Sequence, residues 1–339
     1  MLSVRIIGYL STRSFTRFSN LASRFTRDGL RDRLRHQEIK ELTKNREVFN
    51  QKPNSFPSDA RPIRPISHLK KAFGFTVAVS ATSFTVAIVA EILRRKDTIT
   101  PENVFKIVKN YFDFSNGSNI KVETSSNIHF TAGEKNLAFL IGLNVVVFLL
   151  WKAKNIQPLM QRYFTNSFAS KSLCWPMLLS AFSHQSIIHL GLNMYVMTTF
   201  APKIIDNFLG VEQFWGFYVA AAVISSFVSL ADKALARNPI RALGASGAIL
   251  AVLTYTCMQI PNARLQLIFV PGFDFSAEHA VWGIVAFDFI CLLLRFRLFD
   301  HAAHLGGSLF GIAYAKYGQS LIWEQYGLKV EETIKKVRD

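Results

Sequence analysis

The chain has 339 residues, of which half are hydrophobic and only 18% charged, with a formal net charge of +16 and a mean hydropathy of +0.21. This balance points to a polytopic membrane protein rather than to one or two soluble domains. It also argues against nucleic acid as a partner: the positive excess lies at the amino end and in short connecting stretches, and most of the 30 Phe fall inside apolar runs.

Residues 1–27 hold five Arg, no Lys and no acid among repeated Ser and Thr. Arranged as a helix they would set Arg on one face and Leu, Ile and Phe on another, the pattern of a mitochondrial transit segment. Residues 28–71 stay charged and Pro-punctuated, as in "NQKPNSFPSDARPIRPIS", which predicts a basic, disordered segment on the matrix side. A bilayer core needs roughly 20 mostly apolar residues to cross it. The first such run is "AFGFTVAVSATSFTVAIVAEIL", 72–93, followed by a polar connection over 94–135. Six more candidates follow within 136–318, at 136–151, 177–200, 211–231, 244–260, 279–296 and 301–318, and a charged tail closes the chain at 319–339. The expected fold class is all-α and polytopic, one extra transmembrane helix ahead of a six-helix core. Cys174, Cys257 and Cys291 lie in or beside these runs without paired or metal-like spacing, so they read as packing residues.

Several spans carry polar residues, which in hydrocarbon must find partners or face a water-filled cavity. In "FSHQSIIHLGLNMYVM", His189 and Asn193 are four apart and share a face, with His184 a little over one turn earlier. Such a stripe suits helix–helix hydrogen bonding as well as a functional site. Gly244 and Gly247 flank Ser246, while Gly306, Gly307 and Gly311 surround the helix of His304; small residues let two backbones approach closely. Helices that touch in this way can pair a serine hydroxyl with an imidazole that takes its proton during attack on a carbonyl and returns it to the leaving amine. The developing oxyanion needs donors: the Ser246 amide, free at the first turn of its helix, and the side chains of His189 and Asn193. Asp300 lies one turn before His304 and reads as a helix cap, so the expected machinery is a Ser246–His304 dyad without a third, acidic member.

"GASG" at 244–247, "HLGLN" at 189–193 and "AHLGG" at 303–307, in three separate spans, together resemble the signature of the rhomboid intramembrane serine proteases. The leading helix and transit-like amino end make the chain similar to that family's mitochondrial, presenilin-associated rhomboid-like branch. The resemblance covers roughly residues 70 to 320. It implies Ser246 as nucleophile, His304 as general base, and His189 and Asn193 as oxyanion donors. Gly244, Gly247, Gly307 and Gly311 would be the packing positions, around a serine set below the membrane surface in a water-accessible pocket. Two positions depart from the pattern of many bacterial members: Trp175-Pro176 replaces a Trp-Arg pair, and Leu250 replaces a tyrosine that stacks on the histidine. What orients His304 is therefore left open by the sequence.

Rival readings use the same residues. A metal transporter or metalloprotease would recruit His301 and His304, but HExxH is absent and no cluster of intramembrane carboxylates accompanies them. Neither a metal nor a cofactor is expected, and His301 and His279 read as structural or interfacial. A catalytically inactive rhomboid-like protein that binds membrane helices is the alternative within the resemblance. For an active protease, the partners implied are the lipid bilayer and single-span inner-membrane proteins, cut in or near their helix after local unwinding. The charge of the connecting stretches sets orientation. Stretches 152–175, 232–243 and 295–300 together carry a net +7, against +2 for 94–135, 201–210 and 261–277. The positive-inside rule then places the amino terminus in the matrix and the carboxyl terminus in the intermembrane space of the inner membrane.

Overall fold

Long apolar runs with few helix breakers fold as helices here. The computed structural model describes residues 63–98, 130–266, 272, 274–296 and 299–338, all of them within one unit, 57–339. The transit-like segment 1–27, most of 28–71 and residues 99–129 of the polar connection lie outside the described residues. In chain order the helices are α1 (Leu69–Thr98), α2 (Ala132–Leu150), the short α3 (Gln157–Tyr163) and α4 (Trp175–Leu179), then α5 (Ile187–Ile204), α6 (Gly210–Leu235) and α7 (Ser246–Gln259). An antiparallel pair of three-residue strands, β1 (Arg264–Gln266) and β2 (Asp274–Ser276), leads into α8 (Ala277–Leu293), α9 (His301–Gly318) and α10 (Gly327–Arg338). Among the described residues, three helical stretches are long and apolar enough to cross a membrane: 66–95, 132–150 and 187–235, the last containing both α5 and α6.

Local chemistry fixes the helix ends. Thr131 and Glu134 form a reciprocal capping box at α2, satisfying two otherwise orphaned donors. Ser276 caps α8, and Asp300 caps α9 through the Ala303 amide at 3.2 Å. Between α5 and α6 a π-helical turn, Ile205–Leu209, ends at Gly210, whose φ of +74° redirects the chain. Asp206 in that turn accepts from the Gly133 amide at 2.7 Å and so ties the start of α2 to the end of α5.

The predicted span 177–200 is displaced. The chain instead forms α4, a 3₁₀ turn over Ser180–Phe182, an extended break and then α5 from Ile187 to Ile204. Ser183 and Ser186 take extended backbone angles, and the Ser183 hydroxyl is held by the Trp151 indole N–H at 2.7 Å. Serine competes with helix in this way by bonding outside it. His184 therefore sits in the break and not on the helix of His189. The end of the chain also differs from a simple charged tail. Gln319–Tyr326 continues α9 as a π-helical segment, α10 follows, and the Tyr326 hydroxyl meets Thr85 of α1 at 2.7 Å.

Packing centres on α6, α7 and α9. Phe217, Tyr255 and Tyr314 form an aromatic cluster, and Phe84 of α1 stacks on Tyr314 with centroids 5.5 Å apart. That contact, with the Ser83 hydroxyl donating to the Gly216 carbonyl at 3.1 Å, seats α1 against α6. At 14 residues α7 is only about 21 Å long, shorter than a bilayer core. It is correspondingly enclosed, with Ala248, Ile249, Ala251, Val252, Thr254 and Cys257 buried.

Three connecting stretches are joined to one another. Asn166 and Ala242 exchange two backbone hydrogen bonds of 2.7 and 2.8 Å, and the Arg241 guanidinium donates to the Gln161 carbonyl at 2.7 Å. Lys233 pairs with Asp300, and Arg295 with Asp232 at 3.2 Å. The three positively charged stretches read from the sequence thus lie together at one end of the fold.

Candidate active site

Ser246 opens α7, where its amide, as the first of the helix, has no intrahelical acceptor. The turn before it is built by Gly244 at φ +129°. A Cβ there would be strained by the backbone and would lie 2.9 Å from Cε1 of His189, so that imidazole packs against the serine's own turn. The Gly244 amide donates to the Ser180 carbonyl at 2.9 Å, fixing the turn to the segment before α5.

His304 is brought to the serine by the crossing of α7 and α9. At Gly307 a Cβ would collide with the Gly247 carbonyl, at Gly311 with Ala251 and Thr254, and at Gly247 with Ser225 of α6 at 2.6 Å. At these three glycines there is no room for a side chain. The crossing leaves His304 Nε2 2.8 Å from Ser246 Oγ, with both residues half-buried. Ser246 borders a cavity lined by polar groups, among them Asn166, Ser180, Ser225, Ser229 and Asp300.

The two expected oxyanion donors fare differently. His189 lies against Gly244, and its ring meets that of His184 edge-on at 4.9 Å. Asn193 is buried on the same face of α5, but its amide donates to the His189 carbonyl at 2.9 Å, back along its own helix. One of its two N–H groups is thereby occupied, and the second is the one left for a ligand.

A buried acid lies beside this pair. Asp288, buried at the middle of the apolar α8, points its Oδ1 at Nδ1 of His301 (2.7 Å) and at Nδ1 of His304 (3.3 Å). The carboxylate accepts a hydrogen bond from His301 Nδ1, while toward His304 Nδ1 it makes a close approach without a hydrogen bond. An acid thus lies beside the His304 ring, at the nitrogen that does not face Ser246, where the sequence reading placed none. Phe299 adds a face for the His304 ring, with centroids 6.2 Å apart and planes 30° from parallel. The sequence did signal Asp288: a lone ionisable residue in an apolar span marks a functional site by default. Asp300, by contrast, does cap α9, and it also accepts from Ser229 at 2.6 Å and pairs with Lys233. His279 is exposed and bonds Ser276, apart from these groups.

Comparison with known proteins decides the family. The Rhomboid domain family matches residues 171–320. Over 272 residues the chain is 40% identical to the mitochondrial presenilin-associated rhomboid-like protein of Mus musculus, covering 77% of this chain and 70% of that protein. The chain belongs to the rhomboid family. This rhomboid is equally 40% identical, over 277 residues, to the protein of the same name from Homo sapiens, covering 77% of this chain and 69% of that one. Rhomboid protein 1, mitochondrial, of Saccharomyces cerevisiae is 35% identical over 202 residues, 58% of this chain and 57% of that protein. It is thus a mitochondrial membrane protein of the presenilin-associated rhomboid-like type.

Proposed function

We propose that this rhomboid is an intramembrane serine endopeptidase of the mitochondrial inner membrane. It would cut single-span proteins within or beside their transmembrane helix. The observation that carries the reading is the 2.8 Å contact between His304 Nε2 and Ser246 Oγ, which with the ring proton on Nδ1 lets Nε2 act as general base. As Oγ attacks the substrate carbonyl carbon, its proton passes to Nε2 and the carbonyl oxygen becomes an oxyanion. The Ser246 amide and the side chains of His189 and Asn193 are the donors assigned to that oxygen. Asp288 holds the imidazole and stabilises its cation. The proton then goes to the leaving amine, and water, activated by His304 in turn, releases the acyl group.

The proposed arrangement in the membrane is one helix, α1, followed by the six of the core, α2 and α5 to α9. A substrate helix hides its carbonyls in its own hydrogen bonds, so cleavage favours segments whose Gly or Pro lower the cost of unwinding.

Purified protein reconstituted with a Gly- and Pro-containing transmembrane segment, beside a Leu-only control, tests the activity. A fluorophosphonate should label Ser246, and Ser246→Ala and His304→Ala should each abolish cleavage, with the double variant no worse because the two act as one unit. Near-wild-type cleavage by Ser246→Ala would overturn the assignment. Equal cleavage of both segments would overturn the substrate class. A helix-binding protein without activity would remain unlabelled.

A further inference from the structure

Among the described residues, one group of His, Cys, Asp and Glu side chains has its donor atoms close enough to share a cation: Asp288, His301 and His304, each offering an atom within 4.8 Å of the other two. The catalytic reading uses the Asp288–His304 half of this group and leaves His301 without a task. That residue is buried, gives Nδ1 to Asp288 at 2.7 Å, and has an Nε2 with no partner in the protein. A second imidazole on a carboxylate that already orients the first is more than a relay needs.

We propose that Asp288, His301 and His304 form a binding site for a divalent zinc ion, and that zinc bound there switches the protease off. The inhibitory consequence rests on the function proposed above; the binding does not. Two imidazoles and a carboxylate suit zinc, which takes nitrogen and oxygen ligands at about 2 Å in a tetrahedron, with ligand atoms then roughly 3.3 Å apart. The Asp288–His304 separation of 3.3 Å already matches, and the 2.7 Å Asp288–His301 separation must open by about half an ångström. The ion would replace the hydrogen bond between Asp288 and His301 and the close approach of Asp288 to His304.

Proton balance explains the switch. A neutral imidazole carries one ring proton, which on His304 must sit on Nδ1 if Nε2 is to take the serine's proton. Zinc on Nδ1 requires that lone pair, so the proton moves through solvent to Nε2. His304 would then present N–H to Ser246 and have no lone pair to take the serine's proton. Nothing is oxidised or reduced, and removal of the ion restores the original tautomer. Asp288 and His301 are buried, so inhibition should develop slowly.

Full-length Ser246→Ala protein in detergent separates binding from proteolysis. Titrated with Co²⁺ as a spectroscopic substitute for zinc, it should show tetrahedral ligand-field bands that saturate at one ion per chain and are displaced by zinc. Adding Asp288→Asn or His301→Gln should weaken that affinity at least roughly a hundredfold. X-ray absorption at the zinc edge of the Ser246→Ala protein, which needs no second substitution to fold, should show two imidazole ligands. Absent bands, bands unchanged by both substitutions, or fewer than two imidazoles would each overturn the site. Should the wild-type chain prove inactive while the bands behave as stated, the site stands and the proteolytic reading fails. In an active wild type, zinc should suppress cleavage at least tenfold and a chelator should restore it, as a base without its lone pair costs general-base catalysis of about 100-fold or more. Full activity with the site saturated would overturn the switch.

Discussion

In the proposed reaction the Ser246 hydroxyl is a weak nucleophile that gives its proton to His304 Nε2, 2.8 Å away, and the group behind that ring bears on which nitrogen is free to take it. The Asp288 carboxylate lies 3.3 Å from Nδ1, so in the proposed reaction its charge favours the proton there and stabilises the imidazole cation, whereas the other tautomer would put an N–H against the serine. Asp288→Asn should therefore lower kcat by about 100- to 10,000-fold with little change in KM, the upper end being the loss seen when an orienting carboxylate is replaced by an amide. Single-turnover kinetics on a reconstituted substrate measures it; unchanged kcat would remove Asp288 from the site. Ser246 and His304 were legible because glycines bracket them in a pattern that only close helix approach explains. The acid escaped because a reading confined to the turn before His304 looks along the chain, and the partner comes across from α8, 13 residues before His301. Its buried position in an otherwise apolar helix was the available clue. The donor engagement of Asn193 was not legible, since a bond to its own helix at 2.9 Å depends on a rotamer and not on sequence spacing.

Between helices, the α7–α9 crossing decides whether these residues meet at all. A Cβ at Gly307 would occupy the space of the Gly247 carbonyl, so Gly307→Ala must push α9 away from α7. Overpacking of this sort costs about 1–3 kcal/mol, and here it also stretches the Ser246–His304 contact. Gly283 in α8 has nothing near its would-be Cβ, so Gly283→Ala should be neutral or slightly stabilising. Thermal unfolding in detergent with matched cleavage assays separates the two; equal effects would mean that the crossing is looser than described. The start of α9 is held differently. Burial works to raise the Asp300 carboxyl, but the charge of Lys233 and hydrogen bonds from Lys233, Ser229 and the Ala303 amide outweigh it and hold it below the ordinary carboxylate value. A depressed folded value contributes stability that is present above the unfolded carboxylate range and is lost as pH falls through the folded value. Wild-type unfolding temperature should therefore drop below about pH 4, and Asp300→Asn, less stable at neutral pH, should lack that part of the drop. Apart from 177–200, each of the predicted spans starts or ends within three residues of the matching helix end, because apolar runs bounded by charge or glycine mark helices well. The span at 177–200 misled because its apolar residues on either side carried the reading across the polar stretch Ser183–His184–Gln185–Ser186, where the chain leaves the helix and bonds outside it.

Across the whole molecule the remaining question is which end faces the matrix, and the joined connecting stretches sharpen it. The sequence could only assign 152–175, 232–243 and 295–300 to one side by counting spans. The fold links the first two by the Asn166–Ala242 bridge and the last two by the Lys233–Asp300 and Arg295–Asp232 pairs. Internal pairing leaves their summed charge unchanged, so the end of the fold that carries them is the strongly positive one. It is also the end at which Ser246 begins α7, directly after 232–243. Positive stretches resist transfer across an energised membrane, which favours the matrix for that end and gives the active site a matrix-side opening, with the carboxyl terminus opposite. Tags inserted at Ala236, which is exposed just past α6, and at the carboxyl end decide the matter in mitochondria stripped of their outer membrane. Added protease should remove the terminal tag and spare the internal one. The reverse, with the internal tag digested and the terminal tag protected, would place Ser246 toward the intermembrane space. Charge in the connecting stretches would then have failed to set the topology.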